Sequence, residues 1–222
     1  MKSTSKRHLG KKNNLDLIKS ALEQAYVKQD KVALQHIYDV AQDKTIEQPD
    51  NLTRRHFALM AKSTLYRLDY ALASELIQRE LIDYFFAIDN WQYYDLCLFF
   101  FVHNMINVEK LKPYINDILN QYLNNKLSTA ASNMVAPTLI SFLESTMLQQ
   151  KTTITQSLFL RLDFIDHFEQ DMTFQTWLLF LRGLFENNKT TIHEAYNIVR
   201  SLHMTQLQKL FDHTIKYYQL LS

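Results

Sequence analysis

Residues Asn90 to Met105 read NWQYYDLCLFFFVHNM and hold a tryptophan, two tyrosines and three consecutive phenylalanines. A membrane-spanning helix takes about 20 apolar residues, so the stretch is too short to cross a bilayer. It also lacks the flanking glycine or proline residues that usually mark the ends of a buried strand. Apolar residues on nearly every side of a helix are typical of one covered by neighbours all round. The stretch therefore predicts a buried helix, and we expect the three phenylalanines to pack in the core.

The rest of the chain favours an all-α fold. In 222 residues there are two glycines, Gly10 and Gly183, and three prolines, Pro49, Pro113 and Pro137. Tight β-hairpins rely on pairs such as Asn-Gly and Asp-Gly, which this sequence lacks. A β-rich fold is therefore excluded, and leucine-rich stretches with Lys, Gln, Glu and Ala at helical spacing indicate helices throughout.

Charge and cysteine content limit the class of protein. The first twelve residues hold five cations and no acids. Because the net charge of the whole chain is +1, the net charge of residues 13 to 222 is −4. The body therefore has no overall basic surface for nucleic acid. Cys97 is the single cysteine, which excludes an internal disulfide and fits a cytoplasmic protein. We expect residues 1–12 to form a basic linker and residues 13–222 a single domain, with neither a secretory signal nor a transmembrane segment.

Helical periodicity is nearly continuous between short polar joints. The predicted helices are Asn14–Gln29, Lys31–Asp43, Leu52–Asp69, Ala71–Ile88, Trp91–Asn107, Val108–Asn124, Thr129–Gln149, Thr153–Phe168, Phe174–Asn187, Thr191–Leu202 and Thr205–Leu221. Asn90, Asp50 or Asn51, and Thr190 or Thr191 are the expected N-caps of three of them. Pro113 is expected in a first turn, and Pro137 is expected to kink its helix.

Taken in pairs, these helices begin near positions 14, 52, 91, 129 and 174, a spacing of 38, 39, 38 and 45 residues. A quasi-period near 40 is typical of stacked helical hairpins. We therefore predict a tetratricopeptide-like right-handed α-superhelix with a closing C-terminal helix. An irregular helical bundle is the alternative.

The opening stretch also carries a family resemblance. The pattern W-x-x-Y-D-L-x-L-F stands here as Trp91, Tyr94, Asp95, Leu96, Leu98 and Phe99. It resembles the regulatory domain of Rgg/GadR/MutR-type transcriptional regulators, which are cytoplasmic proteins of Gram-positive bacteria. The tandem hairpins, the frequent Phe and Tyr residues and the Tyr- and Leu-rich last helix extend the resemblance over most of the chain.

The resemblance implies a quorum-sensing domain whose concave face binds a short imported signalling peptide. It also implies a homodimer in which a helix-turn-helix domain ahead of the repeats binds DNA. Only a short basic segment precedes the first helix here, so we expect either an excised regulatory domain or a stand-alone sensor.

A groove lined by the first helix of each pair would contact the peptide through side chains not needed for stacking. Cations offer partners for a carboxylate, asparagine amides pair with an extended backbone, and Trp177 offers an aromatic wall. The predicted peptide-binding residues are Arg54, Arg55, Lys62, Gln92, Asp95, His103, Asn104, Asn133, Pro137, Ser141, Trp177 and Arg182. An ordinary solvated face is the alternative for each of them.

The last helix is too apolar to be a solvent-facing cap, which favours a dimer contact. The predicted interface residues are Phe211, Tyr217, Tyr218 and Leu221. Cys97 is expected in the core, with redox sensing as the minority alternative. His167 shares a helix face with Asp163, which predicts a surface ion pair and leaves pH sensing as a minor hypothesis.

Catalytic motifs are missing from the sequence. Two glycines build neither a nucleophile elbow nor a phosphate-binding loop. Cys97 and His103 lie six residues apart on a helix and point in different directions. We predict no enzyme, no cofactor and no metal site. The alternative function is a helical-repeat scaffold that binds another protein without a peptide signal.

Overall fold

A computed structural model covers the 222 residues and describes the backbone of residues 3–69, 71–165, 168 and 171–221. Within these ranges it describes side chains from Asn14 onward, apart from Tyr217 and residues 219–221. Every regular element in the described residues is a helix, which confirms the all-α class. None of the described helices combines the length and the apolarity needed to cross a bilayer. The chain divides into two compact units, Met1–Ile106 and Asn107–Ser222.

The first unit is organised around its third helix. Its elements are α1 (Ser3–Val27), α2 (Lys31–Glu47), α3 (Leu52–Asp69), α4 (Glu75–Phe86), α5 (Tyr93–Val102) and a 3-10 turn (His103–Met105). Helix α3 packs against α1, α2, α5 and the 3-10 turn. It is therefore the central helix of this unit.

In the second unit, α8 has the corresponding central place. The elements are α6 (Val108–Leu123), α7 (Thr129–Ser132), α8 (Val135–Leu148), α9 (Thr152–Asp163), α10 (Met172–Phe185), α11 (Lys189–Ser201) and α12 (Thr205–Leu221). Helix α8 packs against α6, α9 and α10, and α11 packs against both α10 and α12. Three of the five predicted hairpins are present as packed helix pairs, namely α1 with α2, α8 with α9, and α10 with α11.

Aromatic packing explains the stretch at Asn90 to Met105. The ring of Phe99 lies 5.7 Å from that of Trp91 and 5.1 Å from that of Phe85, and all three side chains are at most 1% exposed. Phe101 and Cys97 are buried too, while Phe100 is half-buried. Burying a large aromatic side chain stabilises a fold by about 1.5–3 kcal/mol. The predicted core role is confirmed for Phe99, Phe101 and Cys97, while Phe100 lies at the edge of the core.

Turns are built without glycine. Gln29, Asn125, Gln150, Asn187 and His203 each end a helix with a φ between 52° and 55°. After each of them, the next N–H donates back to a carbonyl five residues earlier, as from Lys151 to Thr146 at 2.9 Å. This is the left-handed cap that glycine usually supplies. The scarcity of glycine therefore argues against tight β-hairpins, but it does not prevent tight turns at the ends of helices.

Several helix boundaries differ from the prediction, and α5 and α9 both end earlier than expected, at Val102 and Asp163. Helix α1 begins at Ser3, ahead of the predicted Asn14, while the proposed linker role of residues 1–12 stays a prediction. Helix α2 continues to Glu47, past the predicted end at Asp43. Helix α4 begins at Glu75 instead of Ala71, because the Ala73 N–H donates to the Met105 carbonyl at 2.8 Å and holds that segment outside the helix.

Both predictions about proline positions were wrong. Pro113 is the sixth residue of α6 and not in its first turn, so the helix loses one backbone hydrogen bond there. Pro137 lies in the first turn of α8 and not in the middle of a kinked helix, because α7 ends at Ser132 and α8 begins at Val135. A proline in a first turn costs little, since that N–H has no partner within the helix.

The predicted N-caps were correct at one site of three. The Asn51 side chain accepts from the Arg54 N–H at 3.3 Å and caps α3 as expected. The cap of α5 is Gln92 and not Asn90, and the Asp95 side chain accepts from the Gln92 N–H at 3.0 Å. Asn188 caps α11 in place of Thr190 or Thr191.

Gly183 marks the close approach of α10 and α11. A Cβ atom on Gly183 would lie 2.9 Å from the backbone nitrogen of Ile192. Only glycine allows the two helices to pack at this distance without a backbone shift.

Candidate functional site

Three of the four Arg and Lys residues predicted for peptide binding lie on α3, and two of these three already bind acids. Arg55 donates from two guanidinium nitrogens to both carboxylate oxygens of Glu80. Arg54 lies 3.7 Å from Glu47 and donates to the Lys44 carbonyl at 3.1 Å. The Lys62 ammonium lies 5.5 Å from the centre of the Tyr66 ring. These contacts give Arg54 and Arg55 a structural role that the sequence did not reveal.

The line of polar residues on α5 and its extension does not form an exposed stripe. Asp95 is buried and accepts from the Tyr84 hydroxyl at 2.6 Å, and His103 is fully buried. His103 Nδ1 lies 3.1 Å from the Phe99 carbonyl, which only accepts, so this nitrogen carries the proton. Of this line, Gln92 is exposed. The Asn104 side chain, which is half-buried, accepts from Ser63 Oγ.

A buried histidine completes this polar cluster, and the sequence analysis missed it. His56 Nδ1 lies 2.8 Å from the Tyr94 hydroxyl, and the His56 ring contacts the Tyr84 ring edge-on at 4.5 Å. Burial lowers the pKa of His56 from 6.5 to about 4. Burial also raises the pKa values of Tyr84 and Tyr94, and the hydrogen bond to Asp95 raises that of Tyr84 further. At neutral pH, His56 is therefore uncharged and serves as a hydrogen-bonding core residue.

On α8, the predicted stripe runs from the surface into the core. Asn133 and Pro137 are exposed, whereas Ser141 is 2% exposed. Residues four apart share one helix face, so these three side chains follow each other along α8 and the turn before it. Ser141 Oγ is enclosed and has no hydrogen-bond partner among the described residues.

Of the two residues predicted on α10, Arg182 already has a charged partner and Trp177 has an unsatisfied polar atom. Arg182 binds the Asp163 carboxylate and lies 5.0 Å from the Phe159 ring, so its charge is already paired. Trp177 is half-buried, and its enclosed Nε1 has no partner among the side chains and backbone that the structure describes. Since α8 and α10 pack against each other, two adjacent helices of the second unit each bury an unsatisfied polar atom.

A buried carboxylate links α8 to α12, and sequence reasoning did not find it. Glu144 is 2% exposed and accepts from Thr214 Oγ1 at 2.8 Å. Burial raises the pKa of Tyr218, and the negative charge of Glu144 raises it further. Glu144 lies one turn after Ser141, so a hydrogen-bonded carboxylate and an unsatisfied hydroxyl are neighbours on this face of α8.

The predicted dimer residues do not form one exposed patch. Phe211 is fully buried, with its ring stacked 3.8 Å from that of Phe180, so its side chain belongs to the core of its own subunit. Tyr218 is half-buried. The side chains of Tyr217 and Leu221 lie outside the described residues.

Cys97 is buried, as the sequence predicts. Burial raises the pKa of Cys97 to about 11, so its thiol stays protonated at neutral pH. His167 lies outside the described residues, and Asp163, its predicted partner, binds Arg182. Within the described part of the chain, no three His, Cys, Asp or Glu side chains are placed to hold a metal ion.

Known structures share this fold. The structure is similar to that of the SHP pheromone receptor Rgg2 of Streptococcus dysgalactiae, with a TM-score of 0.65 and 15% identity over 93% of this chain and 75% of that one. It is also similar to a protein of Listeria monocytogenes EGD-e provisionally described as a transcriptional regulator, with a TM-score of 0.64 and 13% identity over 90% of this chain and 72% of that one. No curated protein sequence matches the chain.

The family is shown by sequence. The family described as "HTH-type transcriptional regulator Rgg, C-terminal domain" matches residues 34–216, which is most of the chain. This is the domain of a transcriptional regulator and not an enzyme. The chain therefore belongs to the Rgg family of transcriptional regulators and carries the C-terminal domain of that family.

Proposed function

We propose that this domain senses a short apolar signalling peptide and controls transcription through a DNA-binding domain. Membership of the Rgg family supports the regulatory part of the proposal. The peptide part is supported by the similarity to a protein named as a pheromone receptor. We place the protein in the cytoplasm of a Gram-positive bacterium and expect it to act as a homodimer.

The observation that carries the peptide site is the pair of unsatisfied polar atoms on α8 and α10. Leaving a buried polar group without a partner costs about 1–3 kcal/mol. Ser141 Oγ and Trp177 Nε1 both carry this cost among the described residues, and both are residues that the sequence singles out for peptide binding. A peptide backbone offers carbonyls that accept from Trp177 and Ser141 and amides that donate to Ser141.

Exposed residues lead toward this pair. Asn133 and Pro137 precede Ser141 by two turns and one turn, and both are open to solvent. Because Ser141 Oγ and Trp177 Nε1 are enclosed, a peptide that reaches them has to displace neighbouring side chains. Binding is then coupled to a rearrangement of α8 against α10, as a sensor requires. The other predicted residues are already buried or already have partners, so peptide contacts at these positions would have to replace existing interactions. They are Arg54, Arg55, Lys62, Gln92, Asp95, His103, Asn104 and Arg182.

Nuclear magnetic resonance of the two indole N–H groups tests the site directly. With ¹⁵N-labelled tryptophan and a panel of short apolar peptides, we expect the Trp177 signal to move on binding. Trp91 lies in the other unit, is 1% exposed and serves as the internal reference. A folded protein with neither signal affected by any peptide at micromolar concentration would favour the scaffold alternative.

Variants then locate the contacts. We expect Ser141→Ala and Trp177→Phe each to weaken peptide binding three- to tenfold, about the value of one hydrogen bond. Ser157→Ala, an exposed serine on α9, is the matched control. Light scattering tests the homodimer separately, and a monomer at high concentration would contradict it.

A further inference from the structure

The first unit contains a groove of about 690 Å³ between α1, α2 and α3. One wall is formed by Leu17, Ile18 and Ala21 of α1, and the facing wall by Ile37, Val40 and Ala41 of α2. The α1 set has the spacing i, i+1 and i+4, and the α2 set has the spacing i, i+3 and i+4. Each set therefore forms an apolar stripe on one face of its helix, of the kind that another element usually covers. Here Leu17 remains 69% exposed and Val40 39% exposed, so the two stripes do not close on each other. Phe57 of α3 forms the floor.

Polarity changes along the groove. Helices α1 and α2 meet at the turn around Gln29, and the end nearer that turn is lined by Ala21 and Ile37. The opposite end is lined by Asn14, Lys44, Asn51, Thr53 and Arg54. Among the described residues that line the groove none is acidic, and His36 lies at its edge beside Ile37. The groove therefore has an apolar body and a cationic end.

Lys44 and Arg54 form the cationic end of the groove. Lys44 is exposed and makes no ion pair among the described residues. Arg54 faces Glu47 at 3.7 Å, but the Glu47 side chain is 70% exposed, and a pair so open to water contributes at most about 1 kcal/mol. An anionic group at this end would therefore gain two cations, in exchange for the Glu47 contact and the hydrogen bond from Arg54 to the Lys44 carbonyl.

An acyl chain fits the walls better than a peptide does. Each peptide unit brings an N–H and a carbonyl that need partners when buried. The six wall residues are aliphatic or alanine and supply no side-chain donor or acceptor, whereas a hydrocarbon chain needs none. From Asn14 to Ala21 the α1 wall is about 10 Å long, at 1.5 Å per residue. This length suits a medium chain.

We propose that this groove binds a medium-chain acyl carboxylate. The hydrocarbon chain lies between the α1 and α2 stripes over Phe57, and the carboxylate is held by Lys44 and Arg54. The site goes beyond the peptide function proposed above, because none of its residues lies on α8 or α10. Failure of one proposal therefore leaves the other standing.

Calorimetric titration of the full chain with a series of carboxylates tests the chain-length dependence. We use hexanoate, octanoate, decanoate and dodecanoate below their micelle concentrations. Each buried methylene should tighten binding about fourfold until the groove is filled. Methyl resonances of Ile18, Ile37 and Val40 should shift in the same titration, and those of Ile118 and Val199, which are fully buried in the second unit, should not. No saturable binding by a folded protein, or binding without chain-length dependence, would overturn the proposal.

Decanol and decanoate separate the contribution of the head group from that of the chain. Lys44→Gln and Arg54→Gln should each weaken decanoate binding about tenfold and leave decanol binding unchanged. Lys112→Gln, at an exposed lysine on α6, is the matched control. Ala41→Phe should fill the groove and abolish binding of both ligands, with circular dichroism to check folding. Equal losses for decanol and decanoate in the two charge variants, or unchanged binding by Ala41→Phe, would contradict the assigned geometry.

Discussion

In the first unit, the buried polar residues between α3, α4 and α5 bind one another. His56 pairs with Tyr94 at 2.8 Å, and Tyr84 donates to Asp95 at 2.6 Å. In the second unit, α8 and α10 enclose Ser141 Oγ and Trp177 Nε1, which have no partner among the described residues. Buried polar groups are nearly always satisfied in native proteins, so the second arrangement calls for a functional explanation.

The difference separates two roles that look alike in a sequence. Asp95 and Ser141 are both polar residues on otherwise apolar helices, and both were predicted to contact a peptide. A satisfied group stabilises the fold, and removing it exposes that contribution as a loss of stability. An unsatisfied buried group lowers stability, so its removal should weaken binding without any loss of stability. Stability measurements on matched variants therefore test the comparison, beginning with the group expected to have the largest effect.

Acid should destabilise the first unit through His56. Burial lowers the pKa of His56 from 6.5 to about 4 in the folded protein, while the unfolded chain keeps the ordinary value. Below pH 6.5 the unfolded state binds a proton that the folded state does not, so the free energy of unfolding falls as pH falls. The loss should reach about 3 kcal/mol at pH 4, at 1.36 kcal/mol for each pH unit. Urea denaturation followed by circular dichroism measures it.

A histidine variant isolates this contribution from that of the carboxylates. His56→Asn should flatten the decline between pH 6.5 and 4, whereas His193→Asn, at an exposed histidine on α11, should not. The same pH dependence in His56→Asn and in the unchanged protein would show that folding does not lower the pKa of His56.

Removal of the Asp95 carboxylate should cost about 2–3 kcal/mol. Asp95→Ala takes away the acceptor of the Tyr84 hydroxyl and the side chain that binds the Gln92 N–H at the start of α5. Asp83→Ala, at an exposed site on α4, is the control. Adding Tyr84→Phe to Asp95→Ala should recover part of the loss, because the hydroxyl left without an acceptor is then gone. Additive losses in the double variant would argue against a direct interaction.

The hydrogen bond between α8 and α12 should contribute less to the free energy of unfolding than the Asp95 carboxylate does. Thr214→Val keeps the shape of the side chain and removes the hydroxyl that donates to Glu144 at 2.8 Å. We expect a loss of about 1–2 kcal/mol, measured by urea denaturation. Thr173→Val, at an exposed position on α10, should change stability by less than about 0.5 kcal/mol. Unchanged stability in Thr214→Val would show that the hydrogen bond from Thr214 to Glu144 does not stabilise the packing of α12 on α8.

The fold could be predicted from the sequence because it depends on local patterns. Apolar periodicity and the scarcity of glycine identified helices along the whole chain, and the all-round apolar character of α5 identified its burial. Breaks inside helical patterns were harder to locate. The residues around Asn133 and Met134 have no glycine, yet α7 ends there, since Pro137 requires a new helix start.

The candidate site could be predicted only in part, because pairing depends on residues distant in the chain. Helical spacing places Asp95 and His103 on one line, but it does not reveal that Tyr84 binds Asp95 or that the core encloses His103. Likewise, Thr214 and Glu144 are 70 positions apart, and no local pattern joins them. Ser141 and Trp177 were singled out by helix position, and their lack of partners was visible only in the folded chain.

The smallest expected effect on stability comes from Ser141, and a second buried serine provides the matched comparison. Ser63 in the first unit is fully buried and donates to the Phe101 carbonyl at 2.7 Å, so Ser63→Ala should cost about 1–2 kcal/mol. Ser141→Ala should leave the free energy of unfolding unchanged or raise it by up to about 1 kcal/mol, since it removes a buried hydroxyl whose lack of a partner destabilises the fold. Hydrogen exchange within each unit measures both. A loss at Ser141 as large as that at Ser63 would mean that an internal water or a neighbouring group already satisfies this hydroxyl, and the pair on α8 and α10 would then no longer argue for a bound peptide.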